Sequence, residues 1–238
     1  MKKLLLILIA LPMIGFGQNV SIPDANFKAY LVGNTAINTN GDTEIQVSEA
    51  TTFNGGIYCS ANNISDLTGI EDFTALTELW CWDNQLTSLD VSNNTALTYL
   101  ICDYNQLTSL DVSGATALTQ LKCADNQLTS LDVSNNTALW NLGCRLNSLT
   151  TLDVSLNTAL AWLNCNDNQL TSLDVIGATT LYNLKCADNQ LTSLDVSNNA
   201  VLSEINCCYN LLTSLDVSGA TALTELWCWD NQLTSLDV

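Results

Sequence analysis

The stretch Thr74–Val91, TALTELWCWDNQLTSLDV, decides the architecture of this chain. Apolar side chains fall at Leu76, Leu79, Cys81, Leu86, Leu89 and Val91, with Asn84 set among them. The same eighteen letters return unchanged at 221–238, 147 residues later, which is seven steps of 21. Between the two copies cysteine keeps time at 59, 81, 102, 123, 144, 165, 186, 207 and 228, one step of 22 and then steps of 21. Cys208 alone falls out of phase. Asparagine follows each in-phase cysteine by three residues, from Asn62 to Asn231, and "LDV" closes each of the eight units from Asp90 to Asp237. Self-similarity at a fixed period of this length marks a stacked array rather than a globular core. No single unit can hide six apolar side chains, but neighbouring coils share one core. Each buried side chain contributes roughly 1.5–3 kcal/mol gross, against the conformational entropy of ordering the chain. At about 4.8 Å per coil, the eight units make a body roughly 40 Å long.

The string Leu76-x-x-Leu79-x-Cys81-x-x-Asn84-x-Leu86 resembles the leucine-rich repeat consensus LxxLxLxxNxL, with cysteine in the third apolar place. Leu86-x-x-Leu89-Asp90-Val91 echoes its first half, and that nesting resembles the secreted bacterial 21-residue IRREKO type. The first unit, around ISDLTGIEDFTAL, is more similar to the 22-residue internalin type. The resemblance covers 57–238 and implies a right-handed solenoid. Its parallel sheet would line a concave face, with short strands and turns on the convex side and a small helical cap at the N-terminus.

Composition removes several functions. The chain carries 6 Lys+Arg against 24 Asp+Glu, a net charge of −18, which argues against nucleic acid because phosphate binding draws on Lys and Arg. It has no His, so His-based triads and His-ligated zinc are excluded. The in-phase acids read as scaffold and no Gly-rich phosphate loop appears, so the chain does not read as an enzyme. Residues 1–17, with Lys2 and Lys3 before the apolar run Leu4–Ile9 and Gly15-Phe16-Gly17 at the end, read as a secretory signal peptide. That run is too short to span a bilayer and no second one follows, so the mature chain is expected to be secreted or at the cell surface, without a transmembrane span.

Ten cysteines in a secreted chain would ordinarily suggest a disulfide framework. Stacked equivalents stand about 4.8 Å apart, whereas disulfides want Cβ atoms roughly 3.5–4.5 Å apart. The in-phase thiols are therefore expected to be free and buried, as small apolar residues. Alternation places Cys208 outward, as the one reactive thiol.

Variation among units separates scaffold from contact surface. The half-coil NQLTSLDVS hardly changes, and its Asp90 row is expected to accept bonds from nearby hydroxyls or backbone amides. A cation row or an ice-binding threonine rank are the other readings of that face. Around the cysteines the residues change freely. If Leu79 and Cys81 point inward, Glu78, Trp80 and Trp82 face solvent. The window holds all six tryptophans: Trp80, Trp82, Trp140, Trp162, Trp227 and Trp229. It also holds Tyr99, Tyr104, Tyr182 and Tyr209, and the cations Lys122, Arg145 and Lys185. Exposed aromatics and Arg dominate binding hot spots. The strip is expected to bind a protein or glycan ligand in a protein-binding or adhesion module; a structural spacer is the alternative.

Residues 18–56 lie outside the period and are expected to cap the first coil. Ser21-Ile22-Pro23-Asp24 reads as a helix start, followed by the apolar stripe Phe27, Tyr30 and Leu31. Residues 38–49, NTNGDTEIQVSE, resemble an EF-hand loop. The resemblance implies calcium held by Asn38, Asn40, Asp42, the Glu44 carbonyl and Glu49. Asn38 stands where Asp is usual, and Thr43 replaces the turn glycine; a polar turn is the alternative, with no cofactor. The array stops in mid-unit at Val238, which reads as a piece of a longer one.

Overall fold

The computed structural model describes residues 17–237. The signal-peptide segment therefore lies outside the described residues except for Gly17. The rest is a parallel β-solenoid of about nine turns with little helix, the leucine-rich repeat fold expected from the period. Nine three-residue strands, from Gly56–Tyr58 to Glu225–Trp227, form one parallel sheet in chain order, one strand per coil. Register follows the repeat without slippage: Leu79 pairs with Leu100, Leu100 with Leu121, Leu121 with Leu142. On the opposite side three parallel pairs form, Ser88–Asp90 with Ser109–Asp111, Thr151–Asp153 with Ser172–Asp174, and Ser214–Asp216 with Ser235–Asp237.

The core lies between these faces. Leu76, Leu79, Cys81, Leu86, Leu89 and Val91 are all buried, and so are their equivalents through most of the array. Each coil turns after its strand on a left-handed residue, Asp83 at φ 56° and its equivalents Tyr104, Asp125, Leu146, Asp167, Asp188, Tyr209 and Asp230. That turn brings the following asparagine inward. Asn84 Nδ2 donates to the Cys59 and Cys81 carbonyls, and its Oδ1 accepts from Ile64 N at 2.9 Å. The pattern repeats to Asn231, which bonds Cys207 O, Cys228 O and Leu212 N. Each amide thus stitches its coil to the one before, supplying partners that buried main-chain groups require.

A second asparagine row was not read from the sequence. Asn94, Asn136, Asn157 and Asn199 are fully buried, and each donates Nδ2 to two carbonyls of the preceding coil. Their Oδ1 atoms have no hydrogen-bond partner. In the other coils this place holds Ala115, Ala178 or Ala220.

The in-phase thiols are free and buried from Cys59 to Cys207, while Cys228 in the last coil is half-buried. Burial pushes Cys59, Cys144 and Cys207 up to about 12. The expectation for Cys208 is overturned: it is 1% exposed. The strand ends at Asn206, so alternation does not carry through to residue 208. The left-handed turn at Tyr209 follows, and the next coil covers the thiol, which lies against the Trp229 N–H. Desolvation raises its pKa, the reverse of what a reactive thiolate needs. A chromogenic disulfide reagent should therefore modify at most one thiol quickly in the native protein, Cys228, and all ten after denaturation. Rapid loss of Cys208 in a peptide map would contradict this burial.

Asp24 caps the helix α1 (Ala25–Gly33), its Oδ1 accepting from Asn26 N and Phe27 N at 2.9 Å. Phe27 and Leu31 enter the core. Asp24 Oδ2 accepts from Ser65 N and Oγ, Asn26 Nδ2 donates to Asn63 O, and Tyr58 N donates to Tyr30 Oη. Those bonds tie the helix to the first coil.

Candidate functional site

Three-residue strands hold one central side chain inward and present the flanking two to solvent. Trp80, Trp82, Trp140, Trp162, Tyr182 and Trp229 are exposed along the nine-stranded side. Tyr104 and Tyr209 stand exposed at the adjoining left-handed turn. Tyr99, Lys122, Arg145, Lys185 and Trp227 are half-buried on the same side. The aromatic residues form two pairs. The Trp162 and Tyr182 rings are 5.6 Å apart with an interplanar angle of 48°. Trp80 meets Tyr58 edge-on at 5.1 Å. Tyr58, half exposed, was missed in the sequence, although the register that pairs it with Trp80 follows from the spacing of Cys59 and Cys81. Its hydroxyl donates to Glu78 Oε2 at 3.0 Å.

Lys122 and Arg145 lie between the pairs, and Lys185 lies in the coil of Tyr182. Arg145 Nη2 approaches Tyr104 Oη at 3.5 Å. Asp103 is turned onto the main chain, its Oδ1 accepting from Ala124 N at 2.6 Å. Burial raises its pKa despite that bond and the nearby Lys122 and Arg145. Among the described residues the one ion pair is Lys28–Glu44, at 2.7 Å in the cap.

The opposite face is a row of aspartates that cap their own turns. Asp90 Oδ1 accepts from Ser92 N, Asp111 from Ser113 N, and the pattern runs to Asp216 and Ser218. Those backbone bonds hold Asp111, Asp132 and Asp195 below their ordinary value.

The EF-hand-like loop closes on its own donors. Glu49 Oε1 accepts from Thr39 N, Thr39 Oγ1 and Asn40 N, and its Oε2 accepts from Gln46 N. Asn38 Oδ1 accepts from Gly41 N. Asp42 accepts from Glu44 N, Asn40 Nδ2 and Gln46 Nε2. Glu44 turns its side chain to Lys28. Among the described residues no group of three or more His, Cys, Asp or Glu is disposed to hold a metal.

Burial alone would raise the pKa of Glu49, but its bonds to Gln46, Thr39 and Asn40 outweigh it and leave the pKa below 4.5. A depressed folded value stabilises the cap fully above the unfolded pKa, and that share is lost as pH falls through the folded one. Acid titration should therefore loosen the cap below about pH 4.5. Glu49→Gln should lose about 1–3 kcal/mol at pH 7 and flatten that dependence. Hydrogen exchange of the Thr39, Asn40 and Gln46 amides reads both effects.

No family model matches the sequence, and no curated protein matches it. Solved structures do. The functional domain of InlJ from Listeria monocytogenes, described as including a cysteine ladder, is 31% identical with a TM-score of 0.51. That match covers 93% of this chain and 64% of the InlJ chain, so the chain spans under two thirds of that relative's length. An internalin C2 from Listeria monocytogenes aligns over 92% of this chain and 97% of its own, at 19% identity and a TM-score of 0.73. A leucine-rich repeat protein of Leptospira interrogans is 24% identical over 74% of this chain and 58% of its own, with a TM-score of 0.56. The chain has the leucine-rich repeat fold. Its solved neighbours include internalins, and its coils of about 21 residues fit the internalin-like build. No helix among the described residues is long and apolar enough to cross a membrane.

Proposed function

We propose that this chain is a secreted or surface-displayed protein-binding module, acting in adhesion, whose contact surface is the solvent side of the nine-stranded sheet. The observation that carries this reading is exposure without variation of scaffold. Trp80, Trp82, Trp140, Trp162 and Tyr182 are 37–44% exposed on strands and turns whose inward residues barely change. Large apolar surface left in water costs solubility, and aromatic side chains are the usual anchors of protein interfaces. The mechanism is rigid presentation: the asparagine and leucine rows fix the strands, so a partner meets a preorganised surface and little ordering entropy opposes binding. Selection of a displayed random-peptide library on the immobilised protein tests this. Enriched peptides should lose at least tenfold in affinity to a Trp80→Ala/Trp162→Ala/Tyr182→Ala variant. They should bind an Asp132→Asn/Asp153→Asn variant normally. Dependence on the aspartate row instead, or on neither face, would remove the proposal.

A further inference from the structure

The two aromatic pairs on the nine-stranded side differ in the charges around them. Tyr182 stands beside the strand Asn183–Lys185, whose last residue is a cation. Tyr58 and Trp80 have carboxylates instead. Tyr58 Oη donates to Glu78 Oε2 at 3.0 Å, and Glu78 opens the strand that Trp80 ends. Trp82 follows, with Asp83 behind it at the left-handed turn. The flanking strands, Gly56–Tyr58 and Tyr99–Ile101, hold no Lys or Arg, and Asp103 lies just beyond the second. Lys122 stands two strands from Trp80, beyond Ile101. At about 4.8 Å per strand that is roughly 10 Å, more than the Debye length of about 8 Å at physiological salt. In the cap, Lys28 is held by Glu44 at 2.7 Å.

The rings are fixed and yet open to solvent. Trp80 meets Tyr58 at 5.1 Å with an interplanar angle of 77°, while the two are 37% and 49% exposed; Trp82 beside them is 39% exposed. Pairing limits the rotation of both rings, so little side-chain entropy is lost when a partner arrives. The Tyr58 hydroxyl likewise fixes Glu78 through one oxygen, and among the described residues the other, Oε1, accepts no hydrogen bond. Exposed indole and carboxylate side by side suit a cation. An aromatic face attracts Lys or Arg by about 0.5–2 kcal/mol, and the carboxylate adds a charge-assisted bond.

The chain contains its own comparison. Residues 221–238 repeat the letters of 74–91, so Glu225, Trp227, Trp229 and Asp230 recur in the same order. There the register sets Asn206, not a tyrosine, beside Trp227. The ring pair and the anchored carboxylate thus belong to the first copy alone among the described residues.

We propose that the patch formed by Tyr58, Glu78, Trp80 and Trp82 receives a basic segment of the partner protein, an arginine or lysine cation lying over the Trp80 indole and pairing with Glu78. This rests on the protein-binding reading above and adds the chemistry of the partner. Charge complementarity carries it: Glu78 and Asp83 border the rings, and neither neighbouring strand supplies a cation to answer them.

A fluorescein-labelled Gly-Ser peptide with arginine at every third position, titrated into the full chain at physiological salt, tests it. A second peptide carries citrulline, the uncharged isostere, in place of each arginine. The arginine peptide should bind, and the citrulline peptide should bind at least tenfold more weakly. Trp80→Ala should weaken the arginine peptide at least fivefold. Glu78→Gln, which still offers Tyr58 an acceptor, should do the same. Asp132→Asn/Asp153→Asn removes twice that charge from the opposite face and should change binding less than twofold, as should Trp227→Ala. No binding of the arginine peptide, equal losses from the two faces, or displacement by the neutral oligosaccharide maltohexaose would overturn the proposal. Library peptides that depend on Trp162 and Tyr182 yet lack basic residues would overturn it while leaving the protein-binding reading intact.

Discussion

Alanine at Gly177 or Gly114 is expected to destabilise the solenoid by more than about 3 kcal/mol, with a midpoint lower by on the order of 10 °C. The cause is close approach between coils. A Cβ on Gly177 would lie 1.7 Å from the Ser155 carbonyl oxygen, and one on Gly114 would lie 1.7 Å from that of Ser92. The obstacle in each case is main chain, fixed by the hydrogen bonds of its own coil, so no rotamer relieves it. The coil must move away from its neighbour, which breaks packing along both faces. Gly143→Ala supplies the control, because the same added methyl there meets only Lys122 Cγ, at an ordinary 3.8 Å, and should change stability by less than about 0.5 kcal/mol. Thermal unfolding of the three variants decides the matter. Equal midpoints would mean that the coils are not held at this spacing.

These glycines show where sequence reading stops. The period exposed the six inward positions and the asparagine after each cysteine, because every coil repeats them and one consistent core explains all. Gly114, Gly177 and Gly219 belong to a finer pattern, in which three coils carry Gly-Ala where the others carry a residue followed by asparagine. Only coordinates reveal that one version presses its backbone on the preceding coil and the other inserts a buried amide. Cys208 was misplaced because alternation was extended past a strand that stops at Asn206. In the cap loop the spacing of oxygens was legible, but the bonds that Gln46, Thr39 and Asn40 make to Glu49 depend on backbone path and were not. On the nine-stranded side the aromatic and basic positions were legible from variation among coils. Their pairing, Trp162 with Tyr182 and Tyr58 with Trp80, was not, since it depends on side-chain tilt.

The two asparagine rows should respond in opposite ways to the same substitution. Asn168→Ala is expected to cost about 1–3 kcal/mol. Its amide donates to the Cys144 and Cys165 carbonyls, each of which also accepts from a neighbouring asparagine, Asn147 or Asn189, but its Oδ1 is the one acceptor of Leu149 N among the described residues. That N–H stranded away from water carries the loss. Asn157→Ala should instead change stability by less than about 1 kcal/mol. The carbonyls it serves, Val133 and Asn136, already accept from Asn136 N and Leu139 N, so neither is left bare. Its Oδ1 is buried without a donor, and removing it relieves a desolvation cost. Ala115, Ala178 and Ala220 show that a coil closes with alanine in that place. Both residues are buried asparagines donating to carbonyls of the coil before, so burial and bond count alone would predict similar losses. Chemical denaturation of the two variants separates the accounts. A loss at Asn157 as large as at Asn168 would show that the second row also stitches the coils, whereas the predicted difference assigns that task to the row behind the cysteines.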